Sequence, residues 1–474
     1  MTQVAPPTGP SRAAGDDAAR RIAIVGGGLA GLAAAHAIRR DARREGRSVE
    51  VTVYEASDRP GGMLGTVRED GFVVEWGANA FRSGAGPVAD LVADLGLSDQ
   101  VVQADRSANR RHIFHGGRLH LLPNDPISLL EFAPLTPEGR FRILAEPIHA
   151  ERVDHEESVH DYAARHIGEE AAAVLLGSMV RGVYGGDARR LSVDAAFPVM
   201  RTMEREHRSL VVAAIAGMKD RAKVAKTTWS FADGLGVLID ALAAEAGDAL
   251  RTSSPITRLT PLDEGGFELG VGALSQERVD DVVLAVGAAT VASLVDGFAP
   301  AAATSLRGVP DAPIAMVAMA FEASALRERP DGFGFLVAPG EELPVLGVLI
   351  ESSVFPAHAP EGRVLLRAIV GGTAMPDLPQ RDDDEVRRAA LDAVDQAWGV
   401  LAPPQRTWLR RQRRGIPQYE MGHLDRVASA EGAFARHPGL YLAGNAYHGI
   451  AVGAIVEDAE RVAAAVAGRS VAAR

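Results

Sequence analysis

The run Ile22-Ala23-Ile24-Val25-Gly26-Gly27-Gly28-Leu29-Ala30-Gly31 decides the fold. Four consecutive apolar residues suit a strand buried on both faces, as in a parallel sheet covered by helices. In Gly26-x-Gly28-x-x-Gly31 the first glycine permits a tight turn, the second lets backbone approach a pyrophosphate, and the third lets helix and strand pack closely. A helix is predicted from Leu29 to about Arg44, because Leu32, Ala35, His36 and Ile38 recur at helical spacing and arginines gather at its far end. The next strand, Val49 to Tyr54, alternates Val49, Val51 and Val53 and stops at Glu55, 24 residues beyond Gly31. A carboxylate there can accept ribose hydroxyls.

Working outward, Ala56-Ser57-Asp58-Arg59-Pro60-Gly61-Gly62 supplies a second glycine pair that lets backbone pass the same pyrophosphate. An NAD site does not need that pair, so the combination favours FAD. Near the far end, Leu440 to Ala443 reads as a strand, Gly444 to Ala451 as a turn, and Val452 to about Ala467 as a helix. This repeats the grammar of the first unit, so the nucleotide domain is expected to be assembled from separated pieces of chain. The amides and dipole of the closing helix would favour a reduced, negatively charged flavin.

Between these ends, residues 119–208 look mostly helical and are punctuated by prolines at 123, 126, 134, 137 and 147. From Thr252 to Leu284 strand signals return, with a hairpin turn at Asp263-Glu264-Gly265-Gly266 and an apolar run from Val282 to Val286. Further strands are predicted at Ala315 to Phe321 and Leu343 to Ile350.

Composition narrows the function. A chain of 474 residues, 47% hydrophobic, is long enough for several cores; at ~150 residues per domain about three are expected. A net charge of -12 opposes binding to phosphate backbones, so nucleic acid is not an expected partner. The absence of cysteine excludes disulfides, Cys-ligated zinc, iron-sulfur clusters and a flavin linked through sulfur. No apolar run reaches the ~18 residues that cross a bilayer. Residues 1–19 lack the apolar core of a secretory signal and read as a disordered tail, which makes a cytoplasmic location the expectation.

The arrangement resembles the amine oxidase and phytoene desaturase group of flavoproteins and, within it, the oxygen-dependent protoporphyrinogen oxidases. The resemblance runs from Ile22 to about Gly468. It is carried by Arg181-Gly182-Val183-Tyr184-Gly185-Gly186-Asp187, by Trp229-Ser230-Phe231, by Ser352-Ser353-Val354-Phe355-Pro356, and by Ile416-Pro417-Gln418-Tyr419-Glu420-Met421-Gly422-His423. It implies an α/β fold: a Rossmann-type FAD domain in discontinuous segments (20–92, 228–296, 431–474), a mixed-sheet substrate domain (93–112, 199–227, 297–430) and a helical membrane-binding domain (113–198). The implied reaction is oxidation of a porphyrinogen to a porphyrin in haem biosynthesis, with oxygen reduced to hydrogen peroxide.

By the same resemblance, noncovalent FAD contacts fall on Gly26, Gly27, Gly28, Leu29, Ala30, Gly31, Glu55, Gly61, Gly62 and Met63. They continue at Gly77, Ala78, Asn79, Ala80, Ile256, Asn445, Ile450, Ala451 and Val452; Met63 stands where the family often has Trp or Arg. Substrate contacts fall on Arg111, Gly182, Phe333 and Leu336, with no side chain required as a catalytic base. A monotopic attachment to the inner face of the cell membrane is implied, through Leu119, Leu121, Leu122, Ile127, Leu129, Leu130 and Phe132, for which a place in the core is the alternative. A homodimer is compatible with it.

Protoporphyrinogen IX is the expected substrate, because no extra basic pair accompanies Phe333, Phe335 and Leu336, although Arg327 and Arg329 lie nearby in sequence. Coproporphyrinogen III, with two more propionates, is the alternative. A flavin amine oxidase or carotenoid desaturase shares the first motifs, and a colourless lipid carrier shares the fold without using FAD. No metal site is expected: His112, His115 and His120 read as exposed histidines on a strand and turn. Arg410, Arg411, Arg413 and Arg414 read as a solvated rim.

Overall fold

The first strand lies near the middle of a fully parallel five-stranded sheet, the frame on which the glycine turns are displayed. The structure is a computed structural model that describes residues 19–82, 86–123, 125–221 and 228–468. The tail expected over residues 1–19 falls outside them except for its last residue. The sheet runs Leu250–Arg251, then β2 (Val49–Tyr54), β1 (Arg20–Val25), Asp281–Leu284 and Leu440–Leu442. Its strands come from widely separated parts of the chain, as the repeated strand-turn-helix grammar leads one to expect.

The alternation of β1 sets the two layers that cover this sheet. Ile22 and Ile24 face a core built with Leu32 and Ile38 of helix α1 (Leu29–Glu45), with Leu238 and Leu242, and with Val456 and Val462 of the closing helix Val452–Val466. Ala23 and Val25 face the other core, where Leu259, Phe267 and Leu269 of a three-stranded hairpin sheet meet Val291, Leu306 and Val427. The hairpin turn at 263–266 forms where expected, with the Gly265 N–H donating to Leu262 O.

A seven-stranded sheet forms the second layer system, in the order Arg406–Pro417, Asp311–Glu322, Arg363–Gly371, Gly347–Ile350, Gly334–Val337, Arg111–His115 and Arg118–Leu121. Gly334–Val337 pairs in parallel with Arg111–His115, and the other neighbours are antiparallel.

Four sequence-based expectations are corrected. A domain boundary at 112/113 would cut the strand Arg111–His115, which pairs with both neighbours, and residues 113–121 belong to this sheet. Helices Pro198–His207 and Leu210–Arg221 pack chiefly with the other helices, where their polar groups close a network. Only Gly347–Ile350 of the run 343–350 is strand. Leu119 and Leu121 sit on a sheet-edge strand, and Leu129 and Phe132 are buried core residues with Leu135, Ala163 and Ile167.

The helical region is organised by charge as much as by apolar packing. Arg201, 4% exposed, reaches Asp194, Glu157 and Glu204, and His166 lies between Glu146 and Glu204. Glu146 also accepts the N–H groups of Leu210 and Val211, which fixes the start of the helix that follows. Removing one partner of a buried pair strands the other, at a cost of about 3 kcal/mol even with Arg165 still beside Glu157 and Glu204. Arg201→Met should therefore lower the denaturant midpoint of unfolding clearly; a midpoint within error of the parent would show that the pair contributes nothing net.

Candidate active site

At two glycines of the first turn no side chain fits. A Cβ on Gly31 would lie 1.9 Å from the carbonyl oxygen of Gly26, and one on Gly26, at φ +110°, would lie 2.5 Å from the Ala285 oxygen. The second glycine pair lies face to face with the first: the Gly61 N–H donates to Gly27 O at 2.8 Å, and Gly28 and Gly62 approach backbone to backbone. Helix α1 starts at this cleft without a side-chain cap and without an acidic residue in its first turn, which leaves its amides for an anion. Glu55 closes one lip, accepting the Gly27 N–H at 2.8 Å on one oxygen and the Ser57 N–H and hydroxyl on the other. The donor set and the bare backbone fit a dinucleotide pyrophosphate with a ribose beside it.

A cavity of ≈ 690 Å³ opens from there toward the large sheet. Met63, Gly77, Ala78, Asn79, Asn445 and Ile450 line it from the nucleotide-binding side. Arg111, Gly182, Phe333 and Leu336 line the same cavity from the other elements, among apolar walls that include Leu176, Met179 and Ile314. Of the remaining residues expected to touch cofactor, Val452 is buried against the core that holds α1, and Ala451 is an exposed residue at the start of the closing helix. Ala80 packs behind the cavity with Ala108, Val354 and Phe333. Ile256 is away from the cavity, at the start of a strand whose preceding Ser254 N–H donates to the Glu55 carbonyl.

Arg111 sits exposed beside the cavity with its guanidinium 4.9 Å from the centre of the Phe333 ring. Among the described residues it has no carboxylate partner; desolvation and the charge of Arg82 lower its pKa with nothing to offset them. Such a cation is improved by an incoming carboxylate. Gly182 lies in the last turn of helix Ser178–Tyr184, where carbonyls lack helical partners. A Cβ there would be 2.2 Å from Leu336, so the helix lies flush on the strand behind it. Arg327 packs against Gly399, and Arg329 lines a separate pocket with Asp331 and Ser352. Neither lines the cavity.

The three histidines read as exposed are half-buried on the hairpin, with His120 Nε2 bonded to the His115 carbonyl, and no group of three metal-ligating residues occurs among the described residues. Arg410 and Arg411 are also half-buried: Arg410 lies over Trp76 and Arg411 holds Asp383. Only Arg413 and Arg414 are exposed as a rim.

Several site residues carried no role in the sequence. Tyr419, from the block 416–423, donates its hydroxyl to the Asn445 carbonyl and accepts the Gly449 N–H, both at 2.7 Å, while its ring stacks on His423 at 3.9 Å. It fixes the turn that brings Asn445 and Ile450 to the cavity. Arg367 and Glu351 form a buried pair beside Asn79. Burial pushes the Glu75 carboxyl up to about 7, against hydrogen bonds from Thr66 and the Leu235 N–H.

Residues 29–467 match the family described as flavin containing amine oxidoreductase. The coproporphyrinogen III oxidase of Propionibacterium freudenreichii subsp. freudenreichii is 31% identical over 98% of this chain and 94% of its own length. The chloroplastic protoporphyrinogen oxidase of Nicotiana tabacum is 29% identical over 94% and 85%. A crystal structure of an Exiguobacterium sp. 255-15 protein matches with TM-score 0.83 and 25% identity over 94% of this chain and 98% of that one.

The closing turn is tied down by an ion pair that titrates. His448 Nδ1 lies 2.9 Å from Asp458, whose other oxygen accepts the Gly444 N–H at 2.7 Å. Burial alone would lower the His448 pKa, but hydrogen bonds to Asp458 and Glu431 outweigh it and raise it; burial alone would raise that of Asp458, but His448 and Arg461 outweigh it and lower it. The histidine's contribution is thus complete below about pH 6.5 and is lost as pH rises through its raised value, while the aspartate's is complete above about pH 4 and is lost as pH falls through its lowered value. His448→Gln should cost most thermal stability between roughly pH 4 and 6.5, with the difference shrinking at higher pH. A stability difference independent of pH from 5 to 9 would remove the pair from the account.

Proposed function

The chain belongs to the flavin containing amine oxidoreductase family and is an FAD-dependent oxidoreductase; from that premise we propose that it oxidises protoporphyrinogen IX to protoporphyrin IX, using oxygen and releasing hydrogen peroxide. The observation that carries this reading is a largely apolar cavity lined by Arg111, a guanidinium with no carboxylate partner among the described residues. Bound FAD supplies a two-electron acceptor at N5 that oxygen restores. Each of three rounds removes one hydride from a meso carbon and one proton from the macrocycle, and conjugation gained in the ring drives the change. The protein's work is therefore placement and exclusion of water.

Arg111 pairs with a propionate, Phe333 and Leu336 cover the disc, and the Gly182 carbonyl accepts a pyrrole N–H. Asn445 and Ile450 are held in place by Tyr419, and the two glycine pairs hold the cofactor without a covalent bond. Coproporphyrinogen III is the second reading, favoured by the 31% identical bacterial relative named for that activity. Against it, the cavity's other guanidinium, Arg367, is already paired with Glu351, so two additional carboxylates would be desolvated without free cationic partners.

Apolar side chains also stand exposed in the helical region. Ile127, Phe141 and Ile148 are 73%, 71% and 82% exposed on three consecutive short helices, and Val183 is both exposed and part of the cavity lining. No helix among the described residues is long and apolar enough to cross a membrane. These side chains lie on a lipid surface, one leaflet deep, with the cavity mouth toward it.

Side-by-side fluorescence assays with oxygen consumption recorded test the substrate. A higher kcat/KM is expected for protoporphyrinogen IX, and a clear preference for coproporphyrinogen III would refute the assignment. Arg111→Ala should raise KM by roughly tenfold and change kcat less, because it removes an anchor and no proton-transfer group; an equal loss in kcat would point to a role in the transition state. Ile127→Glu combined with Phe141→Glu should weaken cosedimentation with phosphatidylcholine–phosphatidylglycerol vesicles by about tenfold or more, with activity in detergent retained. Unchanged vesicle binding would place the contact elsewhere.

A further inference from the structure

Arg367 is the one charged residue inside the apolar run Val364-Leu365-Leu366-Arg367-Ala368-Ile369-Val370, on an interior strand of the seven-stranded sheet. It is 2% exposed, in a position where arginine is almost never found unpaired. Strand pairing puts it on the same face as Ile314, Met316, Leu349 and Ile369, all of which line the cavity, and its Nη1 is 3.7 Å from the Met316 sulfur. The guanidinium donates to the carbonyls of Gly77 and Glu75. Its Nε approaches Glu351 Oε1 to 2.7 Å without good hydrogen-bond geometry, so the pair is chiefly Coulombic. Asn79 Nδ2 donates to the other Glu351 oxygen at 3.0 Å. Both charges are thus clamped to segment 75–79, which is itself cavity wall.

Joining two layers does not require this. Apolar residues of similar volume hold such a contact at least as well, because both ions lose their hydration. The distinguishing property of the pair is a fixed positive charge at the cavity wall with its counter-charge one shell behind. A flavin gains negative charge when reduced, and in a water-poor site a nearby cation favours that state.

We propose that the Arg367–Glu351 pair sets how readily the bound flavin is reduced, Arg367 favouring the reduced form and Glu351 moderating it. The inference rests on the proposed use of this cavity by FAD and a porphyrinogen. It makes the two residues opposite in sign, which a purely structural pair would not be.

The test is the midpoint potential of FAD in the holoenzyme, measured by dye equilibration. Glu351→Gln leaves the arginine unbalanced and should raise the potential. Arg367→Gln leaves the carboxylate and should lower it. Each shift should be about tenfold in the reduction equilibrium, ~30 mV for two electrons. The double variant should return near the parent, and Arg367→Lys should stay near it. Should Arg367→Gln fail to fold, Glu351→Gln and Arg367→Lys carry the test: a rise in the first with little change in the second supports the proposal. Potentials that do not move, or that move in the same direction in both single glutamine variants, overturn it. A parent protein that holds FAD with shifting potentials but oxidises no porphyrinogen would instead sink the functional reading and leave the electrostatic one standing.

Discussion

Backbone must meet backbone at Gly26, Gly31 and Gly61, and the rest of the site depends on that contact. With the Gly31 Cα pressed on the Gly26 carbonyl, α1 can start only where β1 ends, so its amides open directly onto the cleft. The second glycine pair then closes over the first through the Gly61 N–H, and Glu55 is left at the lip. Recognition of this kind uses main-chain donors, and those come at fixed spacing. The chain therefore returns three more times to the same sheet, at 250–251, 281–284 and 440–442, to place the remaining walls.

Buried polar groups also bridge the seam between the nucleotide sheet and the seven-stranded sheet. Tyr419 reaches from one side to the backbone of Asn445 and Gly449 on the other, and Arg367 reaches to Gly77. The two guanidiniums at the cavity differ in what their surroundings have already done for them. Arg367 is paired with a carboxylate within the protein, whereas Arg111 has only the face of Phe333. A cavity that has spent one cation on its own wall and left the other open is suited to a largely apolar ligand with few carboxylates, in keeping with the proposed substrate.

Local signals were the legible ones. Glycine spacing, the apolar strand and the acid 24 residues on are set by near neighbours, and the strand β2 and the start of α1 fall where the sequence puts them. The hairpin at 263–266 is legible for the same reason. Partnership across the chain is not local. Nothing near Arg111 in sequence says that its strand continues through Ile113 into the large sheet, since the pairing partner is Gly334–Val337. Arg367 carried a readable sign, a lone charge within an apolar strand, but its partner Glu351 and the carbonyl of Gly77 come together only through sheet packing. Tyr419 lay in a motif whose role could not be read, because its two hydrogen bonds go to backbone, which has no sequence signature.

Adjacent residues show how far composition can mislead in the helical region. Leu129 is buried with Phe132 and Leu135, while Leu130, one position on, is exposed. Both are equally apolar, and five residues of helix are too few for periodicity to choose between them. The choice is made by Ala163 and Ile167 on a helix more than thirty residues later, which take one side of the turn and leave the other. Leu130 is left exposed, as are Ile127, Phe141 and Ile148, and Val183 is exposed while also lining the cavity. The charged network around Arg201 and Glu146, buried beneath the same helices, keeps them in position while they present those side chains.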